Sequence, residues 1–286
     1  MVNQLLNRFK THPFFGRGLL LLAEGLFAIS FSVAKVASHT LPFNQLMWFR
    51  FAPALALIPV FVSKKRVFYI ENPKLMLFRS ILGVTSIFCL LLSLKLGEFG
   101  RSNVLYALGT LWAFFWSLLV LKEKPHLFTL ISVPAAFLGL FLIFRPATYV
   151  FHFSDLIALI GSFLTGGVYV SLRKLRQNHS SETIVFCFFM TGFIVFSLLC
   201  LLHPEVPTLK GVLLGITVGI TGFLAQLLMT TGYRYCPVSV SSFIKLLNSV
   251  LMVGIGVLIF HDNATALELL GMGLVIGSIF TITRYQ

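Results

Sequence analysis

"SNVLYALGTLW", residues 102–112, and "SSFIKLLNSVL", residues 241–251, decide how this chain is built. In the first, Asn103, Tyr106 and Thr110 are spaced i, i+3, i+7 and share one helical face. In the second, Ser242, Lys245 and Ser249 repeat that polar stripe at the same spacing. A single shift of 139 residues superposes the two without a gap, and it also lays Gly83 on Gly222, Lys95 on Arg234, Leu108 on Leu247 and Glu123 on Asp262. A duplication is the simplest source of such a register. It predicts a first repeat over residues 1–145 and a second over 146–286.

The residues around the stripes are those of a polytopic membrane protein. Of 286 residues, 57% are hydrophobic and 11% charged, and the mean hydropathy is +0.94, whereas a soluble domain carries about 25% charged residues. Apolar runs of about 20 residues, the length that crosses a hydrocarbon layer, recur throughout. They predict spans at 17–38, 43–62, 75–97, 102–121, 126–144, 154–172, 183–202, 209–233, 237–260 and 266–283, an all-α protein with ten transmembrane helices. Five helices per half is an odd number, so the second repeat enters the membrane upside down relative to the first. Such inverted repeats hold substrate near the midplane between the halves.

The net charge of +13 reads as an orientation signal rather than a nucleic-acid footprint. With both termini cytoplasmic, inner loops and ends collect Arg8, Lys10, Arg17, Lys64, Lys65, Arg66, Lys74, Lys122, Lys124, Arg173, Lys174, Arg176, Arg234 and Arg284, against only Arg101, Arg145 and Lys210 outside. The first apolar run follows a basic segment but is followed by nine more, and it is expected to stay attached. Cys89, Cys187, Cys200 and Cys236 form no CxxC pair, and the histidines share no metal-binding face. No phosphate-binding loop, nucleophile elbow or carboxylate pair occurs, so neither an enzyme, a metal site nor a cofactor is expected.

Charges inside the spans sort by depth. Lys35, Arg79 and Lys95 lie within about 3 to 7 Å of a span end, and long side chains there extend to the interface. Glu24, Arg50 and Lys245 lie about 9 to 12 Å inside, where a charge costs roughly 2.5–3.5 kcal/mol. The first and ninth spans run in the same direction, which puts Glu24 and Lys245 at similar depth and allows them to pair. Either they line the inner half of a pathway, with Arg50 nearer its middle or outer part, or they form a fixed ion pair that locks helices together. Trp112 and Trp116, i and i+4 on the fourth span, are candidates for an aromatic wall or for lipid-facing positions. With Gln226 in the eighth span, the candidate substrate-pathway set is Glu24, Arg50, Asn103, Tyr106, Thr110, Trp112, Trp116, Gln226, Ser242, Lys245 and Ser249. Gly215/Gly219 and Gly273/Gly277 read as helix-packing pairs, and Gly166/Gly167 as a place for a bend.

The stretches "LPFNQLMWFRF" (41–51), "FRSILGVTSIFCLLLSLKLGEFGRSNVLYALGTLWAFFWSLLVLKEKP" (78–125), "AAFLGLFLIFRP" (135–146), "GFLAQLLMTTGYRYCPVSV" (222–240) and "FHDNATALELLGMGLVIGS" (260–278) resemble, in order and spacing, the EamA family of the drug/metabolite transporter superfamily. The resemblance implies a secondary transporter of a small organic metabolite in the inner (plasma) membrane of a bacterium, working by alternating access. It also implies that Arg50, Glu123 and Asp262 occupy recurrent positions, the two acids near span ends. Carriers of S-adenosylmethionine, riboflavin and amino acids are similar. Lys245 departs from the pattern, and an interior of two cations and one carboxylate suits an anionic or zwitterionic substrate. S-adenosylmethionine fits in outline; a lipid-linked substrate flippase is the alternative on the same fold. Coupling to protons or to a counter-metabolite, and the oligomeric state, stay open.

Overall fold

The computed structural model describes residues 15–61, 70–124, 127–144, 150–259 and 265–285, and these are helical with no strand among them. In chain order the helices are α1 (Phe15–Ala37), α2 (Phe43–Phe61), α3 (Pro73–Leu96), α4 (Phe99–Ala107), α5 (Gly109–Trp116), α6 (Leu127–Phe144), α7 (Phe153–Asn178), α8 (Ser181–Leu202), α9 (Leu209–Gly232), α10 (Val238–Ile244), α11 (Leu246–Ile259) and α12 (Ala266–Tyr285). Seven stretches among the described residues are long and apolar enough to cross a membrane: α1, α3, residues Arg101–Leu121, α7, α8, α9 and residues Val238–Ile259. Shorter apolar helical stretches lie in α6 and α12. Arg8, Lys10, Lys64, Lys65, Arg66, Arg145 and Asp262, and the boundary between the two expected repeats, lie outside the described residues.

Local chemistry sets several helix starts. Pro73 opens α3 behind Asn72, whose side chain accepts from Leu75 N–H. Ser180 and Thr208 cap α8 and α9 in the same way, through Thr183 N–H and Gly211 N–H. The apolar stretches Arg101–Leu121 and Val238–Ile259 are each interrupted about a third of the way along. At Leu108 and Lys245 the ladder tightens into three-residue turns, with Leu111 N–H on Leu108 O (2.9 Å) and Asn248 N–H on Lys245 O (3.0 Å). Mid-helix tightening of this kind recurs at hinges. The fourth span then ends in a π-turn over Ser117–Leu121, and Lys122 exits with φ 54°.

Helices α1 and α9, α3 and α7, α2 and α8, and α6 and α12 form the main packed pairs. Gly215 and Gly219 meet α2 as expected: a Cβ at Gly219 would lie 2.4 Å from the Phe49 carbonyl oxygen. Gly273 and Gly277 differ from expectation, with nothing within 4 Å of either; Gly271 makes the close approach instead, against Gly139 of α6. Helix α7 runs through Gly166 and Gly167 as one helix. Gly166 serves contact rather than bending, since a Cβ there would sit 2.5 Å from Trp112 Cβ.

Lys35 does not extend freely to an interface. Its ammonium donates to the Leu94 and Gly97 carbonyls (2.6 and 3.1 Å), closing the C-terminus of α3. Arg173 of α7 does the same for α9, donating to the Tyr233 and Arg234 carbonyls (2.7 and 2.8 Å). A cation at a helix C-terminus satisfies orphan carbonyls and offsets the helix dipole. In the 139-residue register Leu94 falls on Tyr233, so the two caps meet carbonyls that this register pairs. Glu123 completes the region around Arg173: its carboxylate accepts from Val238 N–H and Ser239 N–H (3.1 and 3.4 Å) and lies 3.9 Å from Arg173 Nε.

Candidate functional site

Side chains from seven of these elements converge on one cavity in the middle of the bundle. Phe27 and Phe31 of α1, Arg50 of α2, Arg79, Ser86 and Ile87 of α3, Tyr106 of α4, Thr165 and Tyr169 of α7, Phe188 of α8 and Gln226 and Met229 of α9 line it. Lys245, at the break between α10 and α11, completes the wall.

Arg50, Tyr106, Gln226 and Lys245 of the sequence-derived set therefore face the cavity. Glu24 stands behind Lys245: its Oε2 lies 3.9 Å from the ammonium, and the residue is 1% exposed. Lys245 Nζ also lies 4.9 Å from the Phe27 ring centroid and 5.5 Å from that of Tyr169. These faces attract a desolvated cation by up to about 2 kcal/mol.

Four of the polar stripe residues sit at helix contacts. Asn103 donates to Asn248 Oδ1 (3.3 Å), whose amide donates in turn to the Glu24 carbonyl (3.1 Å). Thr110 donates to the Ser242 carbonyl (3.1 Å), while Ser242 and Ser249 are buried. The stripe thus divides, with Tyr106 and Lys245 on the cavity and the small polar groups holding α1, α4, α5, α10 and α11 together. Trp112 and Trp116 form no cavity wall. Both stack edge-on against Phe163, Trp112 is 40% exposed, and Trp116 lines an apolar groove of about 810 Å³ with Leu75, Phe78 and Leu82. That groove shares no lining residue with the cavity. Two tryptophans at i, i+4 share a face whichever side it turns to.

Arg79, which its height places at the interface, is instead 1% exposed and faces the cavity. Height above a span end does not fix direction, and here the side chain turns inward onto Phe188, with Cζ 4.6 Å from the ring centroid. A signal for this is present in the sequence: Arg79, Gly83, Ser86 and Ile87 recur on one face of α3. Ser86 anchors a hydroxyl cluster with Tyr106 OH (2.7 Å) and Thr165 Oγ1 (2.5 Å). Arg50, also 1% exposed, lies 5.8 Å from the Phe189 centroid. Its guanidinium occupies the space left by a missing side chain at Gly222, where a Cβ would fall 1.7 Å from Nη1.

Three cations and one carboxylate thus meet in a low-dielectric interior. Arrangements of this kind in a membrane protein mark pathways for charged substrates. A solved crystal structure at 16% identity superposes with a TM-score of 0.77 over 93% of this chain and 95% of that one, which shows a shared fold. The chain is 22% identical over 269 residues to the pseudopaline exporter CntI of Pseudomonas aeruginosa, covering 93% of this chain and 95% of the relative. It is 21% identical over 238 residues to an uncharacterized transporter of Helicobacter pylori, covering 79% and 80%. The profile of the EamA-like transporter family matches residues 14–145 and again 152–284. The chain belongs to the EamA-like transporter family and is a multi-pass membrane transporter of a small molecule, not an enzyme.

Proposed function

We propose that this protein is a secondary transporter carrying a small organic anion or zwitterion across a bacterial inner membrane, by alternating exposure of the cavity at Arg50, Arg79 and Lys245. The convergence of these cations on one cavity carries the reading. Ten spans in two five-helix repeats of opposite orientation, with both termini cytoplasmic, supply the frame. The doubled family match and the equivalent caps made by Lys35 and Arg173 support that arrangement. Rocking one repeat against the other alternates access, and the breaks at Leu108 and Lys245 give the two central spans points at which to flex. Export is the direction of the curated relative from P. aeruginosa and is the direction proposed here.

A third interior cation weakens the fit to S-adenosylmethionine, whose sulfonium would add to an excess of positive charge. A flippase of a lipid-linked substrate would need the apolar groove to open into the charged cavity, and the α3–α7 contact separates them.

Counterflow of labelled metabolites into proteoliposomes tests the reading. At least one anionic or zwitterionic metabolite is expected to accumulate faster than in protein-free vesicles, and Arg50→Gln is expected to cut that rate at least tenfold. No metabolite moving above background would sink the proposal. Trp112→Leu and Trp116→Leu are expected to keep the rate within about twofold, because neither ring reaches the cavity; a larger loss would place substrate in the outer groove.

A further inference from the structure

We infer that the substrate is an organic dianion with two separate carboxylate-type groups, one received by Arg50 and the other by Arg79, while Glu24 and Lys245 neutralise each other. The inference rests on the transporter reading above and narrows its substrate class.

The charges around the cavity divide unevenly. Glu24 and Lys245 lie 3.9 Å apart and balance one charge with one, although Glu24 Oε2 accepts no hydrogen bond. Arg50 and Arg79 have no carboxylate within ion-pair distance among the described residues. Nε and Nη1 of both guanidiniums are buried and find no hydrogen-bond acceptor. A buried charge without a counter-charge costs several kcal/mol, and the rings beneath these two return about 2 kcal/mol each. Both side chains line the same cavity, so an anion entering it meets their unpartnered N–H edges.

Two receptors are distinguished rather than one. Arg50 comes from α2, rests over Phe189 and is seated against Gly222 of α9. Arg79 comes from α3 and rests over Phe188, beside Gly83 of its own helix. Each planar fork matches one carboxylate in two-point contact. A monocarboxylate leaves one guanidinium unanswered, and a zwitterion adds a positive charge that only Glu24, already paired, could meet. The hydroxyls of Ser86, Tyr106 and Thr165 bring neutral polar groups to the same wall.

Thermal unfolding of the purified protein in detergent tests this with a length-matched series: butyrate, 4-aminobutyrate, succinate, glutarate, adipate and glycerol 3-phosphate. At least one dicarboxylate is expected to raise Tm by about 3 °C or more at saturation, with butyrate and 4-aminobutyrate below about 1 °C. Arg50→Gln and Arg79→Gln should each abolish the rise. Should either variant not fold, counterflow by the unmodified protein decides: excess unlabelled dicarboxylate is expected to compete at least tenfold better than the monocarboxylate of equal length. Equal protection by butyrate, protection by glycerol 3-phosphate alone, a rise surviving in both variants, or no response to any dicarboxylate would overturn the inference. Transport of some other metabolite would then leave the transporter reading standing, whereas absence of all flux would remove that reading itself.

Discussion

Gly222→Ala is expected to reduce transport at least tenfold, about 1.4 kcal/mol in the barrier, while leaving the protein folded. The added Cβ would lie 1.7 Å from Nη1, 2.3 Å from Cζ and 2.8 Å from Nη2 of Arg50. No relaxation of a few tenths of an ångström resolves such overlaps. The three nearest atoms all belong to the far end of a flexible side chain, so the guanidinium is expected to move and the α2–α9 contact to survive. Gly219→Ala, one turn earlier, has the opposite signature. Its Cβ would meet the Phe49 carbonyl oxygen at 2.4 Å and Pro53 Cγ at 2.8 Å, and backbone cannot swing aside. That variant is expected to lose about 1–3 kcal/mol of stability by overpacking, with transport per folded molecule retained. Gly25→Ala is the control: nothing lies within 4 Å, and the helix gains up to about 1 kcal/mol from the better helix former. Melting curves and counterflow rates on the three variants separate seat from scaffold. Normal transport by Gly222→Ala would show that the position of the Arg50 guanidinium does not matter.

Much of this architecture is legible in the amino-acid sequence, and the illegible part has a common physical cause. Apolar run lengths locate the helices, because crossing hydrocarbon demands a minimum length whatever the packing. The similar depths expected for Glu24 and Lys245 agree with their 3.9 Å separation. What one helix cannot report is which way its faces turn. Height alone assigns Arg79 to an interface, yet the side chain turns inward onto Phe188. Trp112 and Trp116 share a face, and that face turns outward to Phe163. The stripe of Asn103, Tyr106 and Thr110 does face other helices, but only Tyr106 reaches the cavity, because Asn103 and Thr110 are consumed by Asn248 and the Ser242 carbonyl. Gly222 is visible as the position that the 139-residue register pairs with Gly83, while its reason lies on α2, in a side chain far away in sequence.

Glu24→Gln and Lys245→Met are each expected to cost about 3–5 kcal/mol, the usual consequence of stranding one partner of a buried pair. The double variant should recover most of that loss, since it strands neither. Transport is expected to follow a different order. Lys245 lines the cavity, at the break between α10 and α11, whereas Glu24 touches it only through Lys245. Lys245→Met and the double variant should therefore lose at least tenfold in rate, even where stability returns. Glu24→Gln frees the ammonium from its counter-charge and adds a third uncompensated cation, so an anionic substrate is expected to bind more tightly and leave more slowly, lowering KM and kcat together. The two roles weighed for this pair thus give opposite results in one molecule. A fixed lock between helices would let the double variant regain stability and transport alike, while a pair that shapes the cavity wall beside the two arginines would let it regain only the first.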